Sequence, residues 1–361
     1  MNENKKECYE KIVKPLLAWY CENRRFLPWR EEPSPYHVWI SEIMLQQTRV
    51  EAVKEYYARF MKEFPTVQDL AGAEEERLLK MWEGLGYYNR ARNLQKAAIM
   101  IMEEHGGALP STYEELLALP GIGVYTAGAI ASIAFGRPVA AVDGNVLRIV
   151  ARLTGDDTDI SLEGFKKSVK ENLEEVIPAD RPGDFNQALM DLGAMVCLPN
   201  GAPRCEACPL EGICEARRLN KTGELPVKKS KKERTIEKKT VLVVRLGNKI
   251  LLHKRKNSGL LAGMYEFPMM EGFQNSKNVL YYLENLGFSS VQIKKLEPSK
   301  HIFSHKEWHM KAYTVRVDEW KEEETIAARE RDWCLVEPWQ TKDAYPIPSA
   351  FAAYMGFLSE S

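Results

Sequence analysis

The sequence predicts two domains of different class: an all-helical unit over residues 1–225 and a smaller α+β domain over 240–361, joined by a connector at 226–239. Three observations predict this. Apolar residues recur at helical spacing from Lys5 to about residue 195, and no convincing alternating strand precedes Val241. The stretch Leu225-Pro-Val-Lys-Lys-Ser-Lys-Lys-Glu-Arg is charged and almost free of large apolar side chains, as a connector is. Beyond it, Thr240-Val-Leu-Val-Val-Arg-Leu, Gly247-Asn248 and Lys249-Ile-Leu-Leu-His read as strand, tight turn and strand.

Taken in order, Cys8, Ile12, Leu16 and Tyr20 mark one face of a helix over Lys5 to Asn23. Leu27-Pro-Trp-Arg and Pro33-Ser-Pro35 break it, and a second helix can run from about Tyr36 to Gln47 with Val38, Ile43 and Met44 inward. Helical patterns continue, punctuated by Pro65, Gly84-Leu-Gly86, Gly106-Gly107, Pro120-Gly121-Ile-Gly123, Gly136 and Pro178. In the last 120 residues or so, Val279 to Leu286 reads as a helix and Trp308 to Val317 as a further strand.

Composition narrows the class without selecting a function. With 45% apolar and 28% charged residues, 361 residues suffice for two or three cores of an ordinary soluble protein. Met1 to Lys14 is polar, and no apolar run approaches a membrane span, so a cytosolic protein is expected. A net charge of -1 neither favours nor excludes a polyanion. Its distribution is uneven: Arg217 to Lys239 carries ten Lys/Arg against three Glu, while Lys321 to Asp332 is acid-rich. Such a basic stretch suits nucleic acid, and equally a solvated linker.

Four of the seven cysteines, Cys197, Cys205, Cys208 and Cys214, fall in one Pro- and Gly-containing stretch with C-x7-C-x2-C-x5-C spacing. Four clustered thiols in a chain without a secretory signal read as metal ligands rather than disulfides. Thiolate softness does not separate zinc from an iron-sulfur cluster, although one C-x2-C pair between two wider gaps leans towards the cluster.

Leu119-Pro-Gly121-Ile-Gly123 turns between two helical patterns, and the amides that open the second helix suit a phosphate. A dinucleotide site fits poorly, since no strand precedes the turn and Thr126 stands where a third glycine belongs. Asp143 is an N-cap for the amphipathic helix that follows, and a helix dipole keeps such a carboxylate ionised, as a group facing a developing cation must be. Glu42 lies in a mostly apolar helix. Half-buried, it would have a raised pKa and serve as a general acid.

Together and in this order, Ser-Glu42-Ile-Met-Leu-Gln-Gln-Thr, Leu-Pro-Gly-Ile-Gly, Val-Asp143-Gly-Asn145-Val and the cysteine loop resemble the helix-hairpin-helix DNA glycosylases with an iron-sulfur loop, and most closely the MutY-type adenine DNA glycosylases. The resemblance covers nearly the whole chain, with one departure: the first cysteine gap holds seven residues where the family more usually has six. It implies a helix-hairpin-helix glycosylase domain including a loop at 197–214 that binds a 4Fe-4S cluster. It also implies a monomeric bacterial enzyme, cytoplasmic and nucleoid-associated when bound, that removes adenine paired with 8-oxoguanine or guanine in duplex DNA.

By the same resemblance Glu42 protonates adenine N7 and Asp143 stabilises the oxocarbenium ion at C1′. Cleavage needs both, because adenine leaves poorly as an anion. Bifunctional relatives carry in the second hairpin helix a lysine that forms a Schiff base, where this chain has Tyr125. A monofunctional enzyme follows, in which Tyr125 and Asn145 hold Asp143 and the sugar. The rivals are an endonuclease III-like glycosylase-lyase and a non-catalytic lesion-binding protein. Arg25, Leu27, Trp29, Arg30 and Gln187 would line the adenine pocket, Gln47 and Tyr87 would fill the vacated stack, and Gly121 and Gly123 would hold phosphate. The C-terminal domain resembles a Nudix fold at Gly259-Leu-Leu-Ala-Gly-Met-Tyr-Glu-Phe-Pro. Its metal motif is reduced to Leu280-Tyr-Tyr-Leu-Glu-Asn-Leu-Gly287, with one carboxylate, so it should not hydrolyse pyrophosphates. Instead Phe303-Ser304-His305 matches the loop with which the family reads 8-oxoguanine.

Overall fold

In the computed structural model, residues 3–229, 233–289, 291–321 and 332–358 are described, with side chains from residue 7 on. The middle of the expected connector, 230–232, and most of the acidic run, 322–331, lie outside the described residues. The chain divides into two compact units, one formed by residues 1–73 and 92–230, the other by 74–91 and 231–361. The inclusion of 74–91 in the second unit is not visible in the sequence, where that stretch is part of the helical run.

The first unit contains α1 (Glu3–Asn23), α2 (Pro28–Glu31), α3 (Pro35–Leu45), α4 (Val50–Glu63) and α5 (Val67–Ala71). The short α6 (Glu75–Met81) belongs to the second unit, and the unit boundary crosses the start of α7 (Asn89–Glu104). Then follow α8 (Tyr113–Ala118), α9 (Val124–Phe135), α10 (Gly144–Thr154), α11 (Glu163–Glu174), α12 (Pro182–Met195) and α13 (Glu215–Arg218). Ile12, Leu16 and Tyr20 face the core as expected, joined by Val146, Ile149 and Val150 of α10 and Phe185, Leu189 and Leu192 of α12. Removing such apolar area from water is the main force that docks these helices.

Apart from His37, every residue of α3 from Tyr36 to Met44 is buried, which places the helix inside the unit rather than on its surface. It begins with Ser34 capping the amide of His37 and ends at Leu45, two residues earlier than expected. There Gln46 becomes extended and Gln47 takes a left-handed φ of 60°. Gly193 of α12 shows how closely these helices meet: a Cβ there would stand 2.7 Å from the Cβ of Asn145.

In the second unit, β1 (Thr235–Leu246) and β2 (Lys249–Lys254) form the expected hairpin, with Gly247 at φ 57° in its two-residue turn. The short β3 (Tyr265–Glu266) and β4 (Met269–Glu271) pair with β2 and β1. Next come α14 (Ser276–Asn285), β5 (Phe288–Ser289), β6 (Gln292–Ile302), β7 (Lys306–Val317), β8 (Glu319–Trp320) and β9 (Trp333–Val336). The main sheet runs β3-β2-β1-β7-β6, with β1 and β7 parallel from Thr235↔Lys306 to Leu246↔Val317. Alternate residues of β1 feed two cores. Leu242 and Val244 pack under Val279 and Leu283 of α14, and Val241 and Val243 pack towards Phe351 and Tyr354.

The strand opens five residues before the expected Thr240. Its early residues are charged yet paired in the sheet: Glu237 accepts from Lys306 (2.6 Å) and the Trp308 indole (2.9 Å), and Lys239 donates to Glu271 (2.6 Å).

Candidate active site

Glu42 sits in the middle of α3 with 6% of its surface exposed. Burial pushes its pKa up to about 7, against the Tyr125 hydrogen bond and the Arg30 charge, which lower it. Asp143 caps α10: Oδ1 accepts from the Asn145 and Val146 amides (2.9 Å each) and Oδ2 from the Asn145 side chain (2.7 Å). For Asp143 too, burial is the largest influence and raises the pKa above the ordinary value, while the hydrogen bonds from Val146 and Asn145 oppose it. The helix terminus therefore holds the group against desolvation rather than depressing its pKa outright.

Both carboxylates border one cavity of about 380 Å³, within the range of small-ligand pockets. Arg25, Leu27, Trp29, Arg30, Gln47, Tyr125, Asn145 and Gln187 border it too, so the structure gathers these expected residues from α2 and the segment before it, the turn after α3, and α9, α10 and α12. Tyr125 corrects one detail. Its hydroxyl donates to Glu42 Oε2 (2.9 Å) instead of holding Asp143, because the first turn of α9 faces α3. Asn145 alone makes the expected bond to Asp143. Trp29 is also packed edge-on to Tyr57 at 5.4 Å, so it serves core and cavity together.

The sequence reading missed Asp191. This fully buried carboxylate of α12 accepts from Arg25 Nε (2.7 Å) and receives both terminal nitrogens of Arg30 (2.8 and 3.0 Å). It fixes the two guanidiniums that border the cavity, a bidentate geometry that arginine permits and lysine does not. Only an acidic residue inside an apolar helix hinted at it. Gln46, bonded to the buried Thr126 hydroxyl at 3.2 Å, was likewise unread.

Gly121 turns between α8 and α9 at φ 79°, where a Cβ would lie 2.6 Å from the Cβ of Asn93. Gly123 is the N-cap of α9 with no side-chain cap, which leaves the first amides of the helix for an external acceptor. Tyr87 lies in the second unit at φ 51°, half-exposed, with the Arg90 guanidinium 5.6 Å from its ring.

Cys197, Cys205, Cys208 and Cys214 all border one small cavity beside Leu153, Leu192 and Leu210. Among the described residues no three His, Cys, Asp or Glu are gathered around a single ion position. Helix α10 ties this loop to the carboxylate end. Arg148 donates to the Cys197 carbonyl (2.9 Å), Gly193 carbonyl (2.8 Å) and Asn145 Oδ1 (3.0 Å), and Arg152 reaches Cys197 Sγ at 3.3 Å.

In the second unit, Phe303-Ser304-His305 is the turn between β6 and β7, closed by the Phe303 amide on the Lys306 carbonyl (2.8 Å). Phe303 packs on Trp308 at 4.9 Å, which leaves Ser304 and His305 exposed and 3.3 Å apart. The run 280–287 falls on α14 and its end, where Glu284 is exposed. No helix among the described residues is long and apolar enough to cross a membrane.

Comparison with known proteins matches residues 40–178 to the HhH-GPD superfamily base excision DNA repair protein model and 240–356 to the NUDIX domain model. The chain is 36% identical to the adenine DNA glycosylase of Homo sapiens over 403 residues, covering 94% of this chain and 73% of that one. It is 37% identical to the adenine DNA glycosylase of Buchnera aphidicola subsp. Baizongia pistaciae, covering 80% and 82%. Among solved structures it is similar to a thermostable thymine-DNA glycosylase (TM-score 0.53, 30% identity, 59% of this chain and 98% of that). A non-covalent endonuclease III-DNA complex is also similar (TM-score 0.51, 26% identity, 60% and 97%).

Proposed function

Since this chain belongs to the adenine DNA glycosylases of the HhH-GPD base-excision repair superfamily, and so hydrolyses an N-glycosyl bond, we propose that its substrate is adenine mispaired with 8-oxoguanine or guanine in duplex DNA. It acts as a monofunctional monomer. The observation that carries the reading is the pair of dissimilar carboxylates on one cavity, Glu42 with a pKa near neutrality and Asp143 held by three hydrogen bonds.

In this reading the flipped adenine enters the cavity. Protonated Glu42 delivers its proton to N7, so the base leaves neutral rather than as an anion. Ionised Asp143 faces C1′ and stabilises the oxocarbenium ion, and water completes the hydrolysis. Tyr125 steadies Glu42 and, being a phenol, cannot form the Schiff base that strand cleavage requires. Arg25 and Arg30, clamped on Asp191, with Leu27, Trp29 and Gln187, shape the base pocket. Gln47 fills the vacated stack, and the amides after Gly121 and Gly123 hold a phosphate.

Cys197, Cys205, Cys208 and Cys214 hold a 4Fe-4S cluster in this reading. Four soft thiol donors bordering one shared cavity are the donor set that such a cluster takes. Bound by these four residues, it would fix the fold of the 197–214 loop, which Arg148 and Arg152 already join to α10. The second unit reads the opposite base through the exposed Ser304 and His305, whose polar groups can address the altered O8 and N7 positions.

The test is a duplex bearing one A:8-oxoguanine pair, assayed with and without alkali. Strand breaks only after alkali are expected. Breaks without alkali would show a lyase, and no breaks in either sample would remove the catalytic reading.

A further inference from the structure

Behind the base pocket lies a second, larger cavity of about 560 Å³ in the same unit. Arg25, Leu27, Arg30, Ile133 and Gln187 border both cavities, so those five side chains form the partition between them. Three of the five are held in place. Arg25 and Arg30 are pinned to buried Asp191, and Leu27 is itself buried. Ile133 and Gln187 are partly buried, and the Gln187 side chain makes no hydrogen bond to another described residue. The far cavity has a polar, open rim that includes exposed Arg24 and Asp180, and neither Glu42 nor Asp143 borders it.

A base that has flipped into the pocket is walled in by the duplex it came from. After the glycosidic bond breaks, it can leave with the DNA or by another opening. We infer that the second cavity is the route by which the free purine leaves, with the Gln187 side chain as its gate, while the abasic duplex is still bound. This rests on the reading of the first cavity as the base pocket. A small, neutral, polar heterocycle suits the mixed lining. The separation also makes physical sense, because loss of the base would then not wait for slow product-DNA release.

The test uses the full-length protein bound to a duplex carrying radiolabelled adenine opposite 8-oxoguanine, in a single turnover, with rapid filtration that retains protein-bound DNA. In the wild type, label should pass the filter as fast as abasic sites form, with the abasic strand retained. Asp184→Trp narrows the far cavity only and should slow release of the label roughly tenfold without changing the rate of abasic-site formation. Asp184→Asn removes the charge without adding bulk and should behave as wild type. Should Asp184→Trp fail to fold, Asp180→Trp on the exposed rim is read by the same outcomes. Label that leaves only together with the DNA, or equally fast from the Trp variant and the wild type, overturns the route while the base-pocket reading stands. Absence of abasic sites in the wild type would overturn the base-pocket reading itself, and the route with it.

Discussion

Glu42 is costly to keep. Its folded pKa of about 7 lies above the ordinary 4.5, so the protonated form is favoured by folding and the ionised form is penalised. That stability is fully present below about pH 4.5 and is lost as pH rises to about 7, a difference of about 3 kcal/mol at roughly 1.4 per unit. Glu42→Gln keeps an acceptor for Tyr125 but has no proton to give. Excision should therefore fall by about 10²–10⁴-fold in single-turnover assays. The same variant should be more stable than wild type at pH 9, by up to that amount, and nearly equal to it near pH 4.5, in thermal melts. An active Glu42→Gln enzyme would remove Glu42 as the acid. Asp191 is the opposite case. Burial would raise its pKa, but Arg30 and Arg25 outweigh that and hold it below the ordinary value. Asp191→Asn leaves two guanidiniums without their counter-charge and should cost about 3–5 kcal/mol in urea unfolding, together with weaker mismatch binding.

At the scale of elements, α10 is the member that joins the two ends of the site. Asp143→Asn retains an N-cap residue of equal rank and removes a charge that burial penalises, so at neutral pH the variant should melt no earlier than the wild type while excision slows severely. Full activity in that variant would reduce Asp143 to a helix cap. The wild-type rate should also fall in acid as Asp143 gains its proton, above the usual carboxylate range because its pKa is raised. Where α12 meets α10, Gly193→Ala drives a methyl group against Asn145, which holds Asp143. We expect a loss of about 1–3 kcal/mol from overpacking and a slower chemical step. A variant with wild-type melting and rate would show that this contact yields freely.

For the whole molecule, residues 74–91 make truncation informative. In the second unit Lys80 donates to the Thr341 carbonyl (2.6 Å), Glu83 accepts from the Ile347 amide (2.8 Å) and Glu76 from Lys254 (2.6 Å). A chain ending at Lys229 should still remove adenine but discriminate less between 8-oxoguanine and guanine opposite it. It should also melt earlier, with faster amide exchange across 74–91 than in the intact protein. Unchanged exchange there would show that the segment is held without its partners. The sequence by itself determined the helical class, the β1-β2 hairpin and the four-cysteine stretch, and it singled out Glu42 and Asp143, which border one cavity, because periodicity, turn chemistry and motif spacing are local properties. It did not reveal β6, whose exposed, Lys-rich residues carry little apolar pattern, or the charged start of β1, whose residues find partners some 30 to 70 positions away. Nor could it place Asp191 under Arg25 and Arg30, or Tyr125 on Glu42 rather than Asp143. Those pairings, and the burial that sets the two pKa values, arise only when distant helices exclude water from the same small volume. Desolvation and partner choice are therefore what tertiary structure alone decided.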